Sequence, residues 1–293
     1  EGDDSANEQL NALRRHARVL EKLNDLAQAD KMYRRCLEID PVDVKSLQSY
    51  AIFLHQKRGD MSLAQGFFSR AIQVCLPGFL NQDGQIKSES SGGQDLSPTK
   101  IAALNVKAPS QLPQGRLPEG GGDGLRIQHV ARLLVKYGDF EARAKGDSSS
   151  AIRAYRKAIE LHPSNTEALT TLAHFLSEEG DAEHYGEAID LFARAMRASP
   201  DNAVYALKYA RLLKKAGQLG KADLMYQVAR THSKGNAKLE ASAICNYATF
   251  VCRQRKNVSH AQTLFLEGLS LYPDHKGLLK NYTILLKANP SFG

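Results

Sequence analysis

Apolar residues along this 293-residue chain recur at intervals of three and four, and no stretch alternates strictly between apolar and polar. That period places an apolar stripe on each of a series of helices and gives no strand signal. The stripes come in pairs. Short polar turns divide the pairs: Gly59-Asp60, Gly146-Asp147, Gly180-Asp181 and Gly217-Gln218. A proline beside a capping residue then opens the next pair, at Asp40-Pro41, Pro163-Ser164, Pro200-Asp201 and Pro273-Asp274. Proline ends a helix, and Asp or Ser can accept hydrogen bonds from the free N–H groups that start another.

The pattern repeats. Residues 49–71, 136–158 and 246–268 align without a gap. Tyr50, Tyr137 and Tyr247 coincide, as do Phe53, Phe140 and Phe250, then Ala64, Ala151 and Ala261, then Phe68, Tyr155 and Phe265. A fixed period of this length signals a stacked array rather than one closed core. Six units are expected, at about 7–41, 42–76, 125–163, 164–200, 201–235 and 236–273, with a last helix at 274–287 covering the final unit. The organisation predicted is repeats one and two in 1–76, an insertion at 77–124, repeats three to six in 125–273, and a capping helix and tail in 274–293. The insertion holds nine glycines and five prolines, with only 101–108 suited to a short helix.

Each unit has a small residue in its first helix, helix A, and Ala, an aromatic and a second small residue in its second, helix B. Repeat one has Ala17, Ala29, Tyr33 and a closing Pro41; repeat five has Ala210, Ala222, Tyr226 and Ala229. Small residues let two antiparallel helices approach, and large ones fill the facing holes. These marks resemble the tetratricopeptide repeat, although the tryptophan typical of that family is absent. The resemblance implies an all-α fold, a right-handed α-solenoid superhelix of antiparallel helix pairs without strands. The spacing from the small residue to the alanine of helix B is twelve in repeats one and five. It is thirteen in repeats two, three and six, and fifteen in repeat four, with the surplus expected in the turn between the helices.

Composition excludes more than it identifies. There is no run of eighteen apolar residues, so no transmembrane helix is expected. The four cysteines, Cys36, Cys75, Cys245 and Cys252, form no C-x-x-C pair and read as small buried residues. No nucleophile–base motif, H-E-x-x-H helix or phosphate loop stands out. Ser97–Lys100 and the glycine run 120–124 lie in the insertion and lack the flanking elements that their chemistries require. The chain therefore reads as non-catalytic, with no cofactor and no metal. Without a signal or membrane segment it reads as intracellular and cytoplasmic, or organellar if a targeting segment preceded Glu1.

The resemblance also implies that helix A residues line a concave groove. At the corresponding positions stand Arg14, Arg15, Arg18 and Lys22 in repeat one and Lys45 in repeat two. Repeat three supplies Arg132 and Lys136. Repeat five supplies Lys208, Arg211, Lys214 and Lys215, repeat six Asn246 and Arg253, and the last helix Lys280. Over all such positions fifteen Lys or Arg face four Asp or Glu, while the whole chain carries only +7. Such a wall would attract an acidic segment of a protein partner. The arrangement that clamps a C-terminal carboxylate in some relatives is not matched, because Arg15, Ser49 and Lys136, or Thr171, Lys208 and Asn246, occupy the key positions. The function expected is an interaction scaffold or adaptor. The alternatives are an RNA-associated helical-repeat protein and a structural subunit of a large assembly; nucleic acid is the weaker partner because groove aromatics for stacking are lacking.

Overall fold

The structure, a computed structural model, describes residues 2–81, 123–179 and 182–289. The expected insertion lies largely outside the described residues, including the 101–108 segment and the glycine run up to 122. The Gly180-Asp181 turn of repeat four lies outside them too. Thirteen α-helices and no strand occur among the described residues. The chain divides into two compact units, Glu1–Ala168 and Leu169–Gly293.

In the first unit the helices are α1 (Gly2–Lys22), α2 (Leu26–Ile39), α3 (Val44–Phe53), α4 (Met61–Cys75), α5 (Asp123–Phe140) and α6 (Ser148–Leu161). They pack as the pairs α1/α2, α3/α4 and α5/α6. Helix α7 (Thr166–Glu179) begins in this unit and continues into the second, which holds α8 (Ala182–Ala198), α9 (Ala203–Lys215), α10 (Leu219–His232), α11 (Ala237–Arg253), α12 (Val258–Leu271) and α13 (Lys276–Ala288). There α9 pairs with α10 and α11 with α12, and α13 lies against both α11 and α12.

The residues that set the period are the core. Ala17, Ala29, Ala51, Ala64, Ala151, Ala173, Ala188, Ala210, Ala222, Ala248 and Ala261 have no exposed surface. The coincident aromatics have a specific task. Five helix B aromatics meet helix A aromatics of the next repeat. In the first unit the Tyr33 ring lies 5.4 Å from Phe53, and Phe68 lies 5.3 Å from Phe140. In the second, Phe192 lies 5.7 Å from Tyr209, Tyr226 5.0 Å from Phe250, and Phe265 6.0 Å from Tyr282. Offset and tilted ring pairs at these distances each contribute about 0.5–1.5 kcal/mol beyond area burial. The repeat interface, rather than a single centre, carries the stability.

The surplus residue is placed differently from expectation. In repeats two and three it widens the end of helix A into a π-turn, Leu54–Arg58 and Glu141–Lys145, instead of lengthening the loop. The chain then reverses through a left-handed glycine, Gly59 or Gly146. The next amides, Asp60 and Asp147, reach back six residues to the carbonyls of Leu54 (3.0 Å) and Glu141 (3.2 Å). Repeat six does likewise, from Asn257 to Val251 at 3.3 Å, with Lys256 left-handed. In repeats one and five, with the shorter spacing, Asp25 and Gln218 reach back only five residues, to Leu20 and Leu213, both at 2.9 Å. A π-turn absorbs one residue without breaking the apolar stripe on either side.

The caps also need one correction. Asp60 and Asp147 do cap helix B, accepting from Leu63 and Ser150 amides at 3.0 Å. At the openings of helix A the residue beside the proline is not the cap. That role falls to Asp43, Asn165, Asn202 and His275, which accept from the amides of Ser46, Ala168, Val204 and Leu278. Proline and its neighbour fill the turn, and the helix starts two or three residues later.

Candidate functional site

Among the positively charged positions expected on the A helices of the first unit, Arg14, Arg132 and Lys136 are balanced by carboxylates of the fold itself. Arg14 is buried rather than offered to a ligand. Its guanidinium donates to the Asp43 carboxylate, to Ser46 Oγ at 3.3 Å and to Asn11 Oδ1 at 2.6 Å. Asp43 is meanwhile the cap of α3 and accepts from the Ser46 hydroxyl at 2.5 Å. Arg14 therefore ties repeat one to the first turn of repeat two. Lys136 donates to Glu167 at 2.8 Å and stands 3.9 Å from Asp139, while Arg132 lies 4.0 Å from the same Glu167. Arg15, Arg18 and Lys22 are exposed on α1.

Lys45, Arg132 and Arg14 act on His129, and burial together with these cations holds its imidazole below the ordinary histidine range despite the opposing pull of Asp43. His55, at the π-turn of repeat two, is likewise lowered, by burial and then by Arg143. Its ring stands edge-on to Phe140 at 5.3 Å. His129 was not among the residues expected to matter; its position one turn before Arg132 on α5 was the available signal.

The second unit differs. Arg211, Lys214 and Lys215 end α9, and Arg253 ends α11. No carboxylate lies within 4 Å of any of these cations, or of Lys208, among the described residues. Lys214 is only half-exposed, and its ammonium is held below the ordinary lysine range by burial first, then by Arg211, Arg253 and Lys215. Three hydrogen bonds fix the surroundings. Arg211 donates to Asn246 Oδ1 at 3.1 Å, linking α9 to α11. Asn246 Nδ2 donates to the Ser242 carbonyl one turn earlier at 2.6 Å. Lys215 Nζ donates to the Ser177 carbonyl of α7 at 3.2 Å. Sequence reasoning found Asn246 but missed its support: Ser242, four residues before it on one helical face, was the readable sign. Glu178 of α7 stands 3.7 Å from His174. Lys280 is exposed on α13, beyond the cluster.

Among the described residues no three His, Cys, Asp or Glu side chains converge as metal ligands, and no helix is long and apolar enough to cross a membrane. The four cysteines are free, and burial pushes the Cys75 thiol up to about 12. Such a thiol is not a nucleophile at neutral pH.

Antiparallel helix pairs, stacked through small residues and interlocking aromatics, define a helical-repeat interaction protein. Family models of the tetratricopeptide repeat match residues 12–43, 131–165 and 154–189. The chain carries tetratricopeptide repeats at these residues, and such repeats indicate a protein-interaction scaffold in general. It is 28% identical over 207 residues, 68% of its length, to cellulose synthase 2 operon protein C of Komagataeibacter xylinus. It is 25% identical over 170 residues, 56% of its length, to a TPR repeat-containing protein of Dictyostelium discoideum. The chain spans 14% of the first relative and 63% of the second. Among solved structures it resembles PilW, a type IV pilus biogenesis factor, with a TM-score of 0.60 at 17% identity, over 92% of this chain and 97% of that one. PilF of Pseudomonas aeruginosa gives 0.57 at 16% identity, over 95% and 99%. The Cut9–Hcn1 hetero-tetramer of the APC/C gives 0.55 at 12% identity, over 94% and 43%. At these identities the structural likeness establishes the fold alone.

Proposed function

We propose that this protein is a non-catalytic adaptor whose A-helix face in the second unit takes an acidic segment of a protein partner. The carrying observation is the set Lys208, Arg211, Lys214, Lys215 and Arg253, five cations on two neighbouring A helices with no carboxylate at ion-pair distance among the described residues. Surface charges normally sit near compensating ones, and an uncompensated cluster draws in an anionic partner and speeds its arrival. Two of its members are already oriented, Arg211 by Asn246 and Lys215 by Ser177, so less freedom is lost on binding. Arg14, Arg132 and Lys136 of the first unit, by contrast, have carboxylates of their own fold.

The test is fluorescence anisotropy with a labelled hexaglutamate peptide, a hexaglutamine control and a single-stranded oligouridylate. The full chain should bind hexaglutamate, weaken with added salt, and lose binding when Lys208, Arg211, Lys214 and Lys215 are changed to Glu. Equal binding of the glutamate and glutamine peptides overturns the reading. So does tighter binding of the oligonucleotide than of either peptide.

A further inference from the structure

The cluster in the second unit is denser than a single carboxylate requires. Three cations act electrostatically on one half-exposed ammonium, at the point where the ends of α9 and α11 come together. We propose that Arg211, Lys214 and Arg253 form the acceptor for a phosphoryl group carried on a segment of a partner protein. This deepens the adaptor reading above and rests on it.

Charge is the first argument. A phosphoserine or phosphothreonine brings about −1.5 to −2 at neutral pH on one centre, whereas a carboxylate brings −1. Arg211, Lys214, Lys215 and Arg253 would still carry a large surplus over one carboxylate. Two carboxylates from an acidic segment would have to converge on the same small region and would repel each other there. A phosphoryl group delivers both charges at a single point.

Donor geometry is the second. Guanidinium groups present planar forks of N–H donors that match phosphate oxygens two at a time, and an ammonium adds a point charge. The cluster offers two guanidiniums and one partly desolvated ammonium, against three acceptor oxygens. Arg211 is held by Asn246, which is held in turn by the Ser242 carbonyl, so one fork is set before any ligand arrives.

A phosphodiester backbone is the competing source of phosphate. It carries one charge per group, and single-stranded nucleic acid is usually gripped by stacking as well. Three of the four aromatic rings of α9 and α11, Tyr209, Tyr247 and Phe250, are buried in the repeat interfaces, and the fourth, Tyr205, is half-buried, so no fully exposed ring offers a platform for a base. A phosphorylated protein segment fits better.

The experiment is a backbone amide NMR titration of the isotope-labelled full chain with three peptides, Gly-Gly-Xaa-Gly-Gly with blocked ends, where Xaa is phosphoserine, glutamate or serine. Hexaglutamate and a single-stranded oligouridylate are added as separate arms. Phosphoserine should shift amides near 211–215, 246 and 253, and saturate at least about tenfold below the glutamate peptide. Inorganic phosphate should compete. Arg211→Gln with Arg253→Gln should abolish the difference, and Arg211→Lys with Arg253→Lys, which keeps the charge but removes the forks, should lose most of it. If phosphoserine and glutamate saturate together, or only hexaglutamate binds, the phosphoryl inference falls and the acidic-partner reading stands. If no anionic peptide binds, or if the oligonucleotide binds more tightly than all of them, both fall.

Discussion

The Arg14 guanidinium is buried against the Asp43 carboxylate, joining the middle of the first helix of repeat one to the cap that starts repeat two. Asp43 has two tasks: it satisfies the Ser46 amide at 3.0 Å and neutralises Arg14. Removing either partner leaves a buried charge without compensation. Arg14→Met should therefore destabilise the first unit by about 3–5 kcal/mol, the usual cost of breaking a buried pair. Asp43→Ala should cost as much and lose the cap as well. Urea denaturation of both single variants and the double variant checks this. A double variant no better than the sum of the singles would mean that the two groups do not act as a pair.

The packing of repeat three depends on a glycine where the other repeats have alanine. A Cβ placed on Gly138 would meet the Tyr155 ring at 2.6 Å, closer than any real contact allows. That ring is buried, and its hydroxyl donates to Asp139 at 2.9 Å, so it cannot swing away cheaply. Gly138→Ala should cost about 1–3 kcal/mol. Gly66 is exposed in the middle of α4, and a Cβ added there would have open space around it to 4 Å. Gly66→Ala should gain up to about 1 kcal/mol. Opposite shifts of the denaturation midpoint are expected from the same chemical change. Shifts of the same sign would refute the steric account.

The fold was legible because its determinants are local and repeated. Ala17, Ala29 and Tyr33 announce packing by spacing alone, and the structure buries all three. The surplus residue of repeats two, three and six could be counted but not placed, because a π-turn and a longer loop satisfy the same count. Burial at the face was less legible. Arg14 and Arg15 are adjacent and alike in sequence, yet only Arg14 points at the neighbouring cap. Lys136 and Lys208 occupy the same register, but the residue opposite Lys136, Glu167, lies 31 positions away. Charge balance across repeats is a tertiary property, and a single helix does not disclose it.

Acid should weaken the first unit through its histidines. His129 and His55 are both held below the ordinary histidine value of about 6.5, by burial and by neighbouring cations. Between the lowered folded value and 6.5 the unfolded chain binds more protons than the folded one, so stability rises with pH there. The contribution is intact above about 6.5 and is lost as pH falls through the folded values. Denaturation midpoints measured from about pH 7.5 down to about pH 5.5 should fall. The slope should flatten in the His55→Gln, His129→Gln double variant. An unchanged slope would show that the decline comes from other groups.

Lys214 separates binding from stability. Its ammonium is partly desolvated and surrounded by Arg211, Arg253 and Lys215, with no carboxylate among the described residues close enough to offset them. Such a placement costs folding free energy and is tolerated where a site needs it. Lys214→Met keeps the aliphatic packing of the stem and removes the charge. The second unit should become more stable, by at most about 1 kcal/mol because solvent screens a half-exposed group. The gain should shrink as salt is raised toward about 0.5 M, where the repulsion it relieves is already screened. Hexaglutamate binding should weaken in the same variant. Urea midpoints at low and high salt, paired with the anisotropy titration, measure both effects on one protein. A variant that loses stability and binding together would mark Lys214 as a packing residue, and a variant that gains stability without losing binding would move the anion site elsewhere on the face.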